Sequence, residues 1–62
     1  MTSPFDILRF VRHCELKESE LTILEIEKLT SFRIELLDKY GVFGGGNSIN
    51  QLFQRINTLV KD

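Results

Sequence analysis

Residues 23–40 read as one amphipathic helix whose apolar face is too wide for a single neighbour to cover. Ile23, Ile26, Leu29, Phe32, Ile34, Leu36, Leu37 and Tyr40 spread over about 200° of the helical wheel. Leu24 lies outside even that arc, whereas Thr30 and Arg33 fall inside it. Both ends of the segment are marked. Thr22 stands at the capping position and Glu25 follows three residues on, with Leu21 and Ile26 flanking the pair as a hydrophobic staple. At the other end Gly41 takes the left-handed conformation that closes a helix, because it has no Cβ to clash. A central helix with one helix on each flank covers so broad a face, and that is the expected arrangement.

Two further segments supply the flanks. Ser3-Pro4-Phe5-Asp6 is a helix start. Ser3 caps free backbone N–H groups, Pro4 occupies the first turn where a missing N–H costs nothing, and Asp6 completes the box. Phe5, Ile7, Leu8, Phe10, Val11 and Cys14 follow, so the first helix is expected over residues 4–14. Glu15 to Glu20 is polar except for Leu16 and reads as the joint. The last helix is expected over 49–60, opened by Ser48 with Gln51 three residues on. Its apolar residues Ile49, Leu52, Phe53, Ile56, Leu59 and Val60 span about 120°, one clean buried face. The fold class is therefore all-α: a single compact three-helix domain over 1–62.

Size sets the next expectation. A chain of 62 residues buries a modest core and ordinarily needs a disulfide, a metal or a partner. Cys14 is the only cysteine, so no intrachain disulfide exists, and the lone thiol suits a reducing compartment. His13 and Cys14 are too few for a structural metal site, which wants four ligands. Apolar faces broader than one neighbour can cover, on the first and middle helices, point to self-association, with a homodimer the simplest form. Another protein is a second possible partner. No metal, cofactor or small-molecule substrate is expected.

Charge and hydropathy narrow the partners. Eight Lys and Arg against nine Asp and Glu give a formal net charge of -1, which favours neither nucleic acid nor an anionic membrane. No apolar run exceeds two residues, far short of a membrane span. The N-terminal residues show no signal-peptide pattern, Asp6 standing early, and the expected location is the cytoplasm.

Candidate sites follow from particular residues. The triplet Gly44-Gly45-Gly46 precedes a helix, a place where backbone N–H groups can hold an anion. Yet no lysine follows it and the preceding element is a helix, so it reads as a turn, with Val42 and Phe43 anchoring the loop. A protein interface is expected at Phe10, Leu24, Phe32 and Arg33. Arg33 would either snorkel along the edge of the face or pair across subunits. The outer face of the third helix carries Asn50, Gln51, Gln54, Arg55, Thr58 and Lys61, side-chain types that read base edges, so nucleic acid is the alternative partner. The long connection before that helix argues against a helix-turn-helix.

Catalysis has the least support. His13 and Cys14 are adjacent in sequence and point about 100° apart, so they do not form a nucleophile–base pair. Glu25 and Glu27 share no face and show no reason in the sequence for a shifted pKa. So short a helical chain leaves little room for a water-excluding pocket. The reading is a small non-catalytic regulator, adaptor or assembly subunit, with Cys14 in the core and His13 on the surface.

Overall fold

The computed structural model describes residues 3–41 and 48–61. The glycine triplet, with Val42, Phe43 and the turn expected of them, lies outside the described residues. Three helices are present: α1 (Pro4–Leu16), α2 (Ile23–Tyr40) and α3 (Ser48–Val60), with a 3₁₀ turn over Glu18–Glu20 between the first two.

Local chemistry sets most helix ends. Ser3 Oγ accepts from the Asp6 backbone N–H at 3.2 Å, and Pro4 lies in the first turn. At the start of α2 the capping box is complete. Thr22 Oγ1 accepts from the Glu25 backbone N–H at 3.1 Å, and Glu25 Oε1 accepts from the Thr22 backbone N–H at 3.0 Å. Gly41 closes α2 at φ 56°, its N–H donating to the Leu37 carbonyl at 3.0 Å. Two boundaries differ from expectation. α1 runs to Leu16 because nothing in Glu15-Leu16 interrupts it, and it ends as the Lys17 N–H turns back to the Cys14 carbonyl. Ser48 is already helical, so it is not the cap of α3, and the residues before it lie outside the described ones.

The core is one cluster. Ile7, Val11 and Cys14 come from α1, Leu29, Phe32 and Leu36 from α2, and Leu52, Ile56 and Leu59 from α3. Each helix contributes residues three or four apart, one stripe per helix. The Cα radius of gyration is 10.9 Å, close to the roughly 10.6 Å of a compact chain this long.

The packing order departs from the sequence reading. The helix in extensive contact with both others is α3, not α2, and the contact between α1 and α2 is the smallest of the three. The buried face of α3, with Leu52, Ile56 and Leu59, is met by both neighbours. In consequence only the Leu29–Phe32–Leu36 stripe of α2 is buried, an arc of about 60° out of the 200° that the sequence presents. The rest of that broad face is not covered from both flanks.

Candidate functional site

What α2 leaves uncovered is a second stripe. Ile23 is 76% exposed and Ile34 59%, and Ile26 and Leu37 are exposed to a lesser degree, 38% and 40%. With Thr30, half-buried between them, they occupy an arc of about 80°, centred roughly 130° round the helix from the core stripe. Their spacing is 3-4-4-3, from Ile23 through Ile26, Thr30 and Ile34 to Leu37. Thr30 donates its hydroxyl to the Ile26 carbonyl at 3.0 Å, so the one polar group of the stripe is satisfied within its own helix. Glu27 and Asp38 border one edge of the stripe and Arg33 borders the other.

The residues expected to form an interface fall in three different places. Phe32 is 8% exposed and belongs to the core, so it is not a surface anchor. Its ring meets that of Phe10 edge-on, with centroids 5.7 Å apart, and Phe10 is thereby half-buried between α1 and α2. Lys28 covers this pair, its Nζ lying 4.8 Å from the centroid of Phe10. Leu24 is 76% exposed, with Glu27 and Lys28 as its i+3 and i+4 neighbours, and lies outside the stripe. Arg33 lies half-buried at the margin of the second stripe, donating to Asn57 Oδ1 of α3 at 3.3 Å. Of the four, only Arg33 borders the second stripe. The residues the expectation left out are Ile23, Ile26, Ile34 and Leu37. The signal that could have found them was their spacing, which falls out of phase with Leu29, Phe32 and Leu36.

The polar face of α3 is also divided. Asn50 is 8% exposed and turned inward, so it does not share the outer face on which it was expected. Arg55 is held by Glu15 of α1 in a two-point fork, Nε to Oε2 at 2.9 Å and Nη2 to Oε1 at 2.6 Å. That bond lowers the Glu15 pKa and raises that of Arg55. Gln51, Gln54, Thr58 and Lys61 remain exposed. A base-reading surface would thus lack its buried asparagine and would compete with Glu15 for its arginine.

Two more features bear on chemistry. An open groove of about 550 Å³ runs between Pro4, Phe5 and Leu8 of α1 and Ile49, Leu52 and Arg55 of α3. This is more room than the sequence suggested, but the groove is open to solvent and its one cationic group is already paired with Glu15. Among the described residues no group of three or more His, Cys, Asp or Glu is placed to hold a metal ion. None of their helices is long and apolar enough to cross a membrane.

Glu25 overturns its reading as an unperturbed carboxylate. Besides capping α2 it meets two groups from the other side of the joint. Lys17 Nζ lies 3.2 Å from Oε1, and His13 Nε2 lies 3.1 Å from Oε2. The Thr22 backbone N–H is the largest influence, with Lys17 and His13 adding to it, and together they bring the pKa from 4.5 down to about 2. The sign of the linkage follows. A depressed folded-state pKa stabilises the fold fully above pH 4.5, and that contribution drains away as the pH falls toward about 2. Glu15 acts in the same direction. Glu25→Gln keeps a side chain able to cap while removing the charge. Its deficit in urea midpoint against the parent should be full near neutral pH and should close as the pH falls through this window. A deficit that is constant with pH would refute the assignment.

Comparison with protein-family models, curated proteins and solved structures gives no match for this chain.

Proposed function

We propose that the chain is a small non-catalytic protein-interaction module whose docking surface is the second apolar stripe of α2. One observation carries the reading. Four large aliphatic side chains, Ile23, Ile26, Ile34 and Leu37, stand exposed along one side of the longest helix, with half-buried Thr30 between the two pairs. Scattered exposed apolar residues are ordinary on a soluble fold, but a contiguous patch rimmed by polar groups marks a site of association. The flanking Glu27, Asp38 and Arg33 would set orientation more than affinity. Regulation, adaptation between proteins and assembly are all roles that such a surface serves.

A photoreactive benzoylphenylalanine at position 34 tests the reading in cells that express the chain. It should form protein adducts on illumination, whereas the same group at Ser19, exposed in the 3₁₀ turn, should form few. Equal or absent adduct formation at the two positions would overturn the placement of the surface.

A further inference from the structure

We propose that the occupant of this stripe is a second copy of the chain, packed α2 against α2 in parallel about a two-fold axis. The inference rests on the docking surface argued above and names its partner. Its first support is the register. From Ile23 to Leu37 the stripe steps 3-4-4-3, two seam pairs of heptad spacing, Ile23–Ile26 and Ile34–Leu37, joined at Thr30 by a stutter that a parallel pair accommodates by local unwinding. Each apolar residue then meets its own counterpart. Thr30, the smallest member, lies at the centre where the two backbones come closest.

The second support is charge. In the half of the seam built on Ile34 and Leu37, Arg33 lies just before the first seam residue and Asp38 just after the second. These are the positions from which side chains of paired parallel helices reach one another, residue i on one helix to i+5 on the other. Arg33 of each copy therefore faces Asp38 of the other, twice in a symmetric dimer. Asp38 is exposed, and the Asn57 contact uses only one of the five N–H donors of Arg33. An antiparallel pair would instead set the Glu27–Asp38 edges side by side and the two Arg33 edges together, repelling on both flanks. Because α3 lies on the Arg33 side, through Asn57, antiparallel packing would also bring the two copies of α3, with their polar side chains, against each other.

The size of the contact sets the strength. A helix of 18 residues is about 27 Å long and 10–12 Å wide, a footprint of about 300 Å². That is below the roughly 800 Å² per partner of a stable complex, so the pair should be weak and reversible, with a dissociation constant on the order of micromolar to millimolar.

Sedimentation equilibrium from micromolar to millimolar chain tests this, with far-UV circular dichroism confirming that each variant is folded. The parent should pass from monomer to dimer, and Ile34→Asp should weaken the dimer by at least about 30-fold, the size of a hot-spot loss. Arg33→Glu and Asp38→Arg should each weaken it by about three- to tenfold, and the double exchange should restore it. If Ile34→Asp fails to fold, Ile34→Cys with a short bismaleimide replaces it and should give a covalent dimer. A parent that remains monomeric at millimolar concentration overturns the proposal. So does a dimer indifferent to position 34, or a charge exchange without rescue. A monomer whose position-34 photoadducts contain a different protein would overturn self-pairing while leaving the docking surface intact. A monomer with no adducts would overturn both.

Discussion

Leu36→Ala is expected to remove about 3 kcal/mol of folding free energy, within the range of 2–5 kcal/mol seen when a buried leucine is truncated. For a chain of 62 residues the whole stability is on the order of 3–9 kcal/mol, so the loss takes from about a third of it to all of it. Leu36 is fully buried where the three helices meet. So short a chain offers few other residues to close the cavity. Urea unfolding followed by circular dichroism at fixed chain concentration measures the loss, and Leu24→Ala is the control. Leu24 lies on the same helix and is 76% exposed, so its truncation should stay within about 0.5 kcal/mol. If Leu36→Ala unfolds the chain outright, Leu36→Met should restore the fold at a loss below about 1.5 kcal/mol. Equal effects of Leu36→Ala and Leu24→Ala would mean that the core stripe of α2 has been assigned to the wrong face.

That contrast marks how far the sequence could be read. The start of α1 and both ends of α2 were legible because they depend on neighbours within four residues. Ser3 caps the Asp6 N–H, the Thr22–Glu25 box closes and Gly41 after Tyr40 takes the left-handed conformation, whereas the Asp6 carboxylate accepts from the Ser3 hydroxyl and the box expected there is not complete. The core stripe of α1 was legible for the same reason, Ile7, Val11 and Cys14 repeating at helical spacing. The division of α2 was not. A helical wheel gives the angle of each side chain but not which helix lies at that angle. The sequence put α2 in the middle because its face is widest, whereas the fold puts α3 in contact with both neighbours. Phe32, against Phe10 of α1, and Asn50 of α3 are both buried, which a wheel that gives angles and no neighbours does not report. Long-range polar pairs were illegible for a related reason. Glu15 and Arg55 are 40 residues apart and His13 and Glu25 are 12 apart, and no local spacing reports such meetings. Most of the candidate site was nevertheless present in the sequence as a second phase of apolar residues on one helix. It was merged with the first phase because both were counted into a single 200° face.

Cys14 offers a readout that joins the core to the surface stripe. The thiol is fully buried on α1. Burial pushes its pKa up, and the nearby Glu25 carboxylate adds to the effect. The reactive thiolate is therefore both scarce and out of reach in the folded chain. An aromatic disulfide reagent should label it only through opening of the fold. Relative to an unfolded peptide containing the same residues, labelling should be slower by about a hundredfold or more, following the folding equilibrium. Leu36→Ala should accelerate it by at least about 30-fold, the rate equivalent of 2 kcal/mol. Self-pairing through α2 adds a dependence that a monomer lacks. Association stabilises the folded form by mass action, so labelling should slow as the chain concentration rises through the dissociation constant. In Ile34→Asp that concentration dependence should vanish while the low-concentration rate stays near the parent's. Labelling at the peptide rate would remove Cys14 from the core. Strong protection that is independent of concentration in the parent would leave the core assignment standing and count directly against a second copy on the α2 stripe.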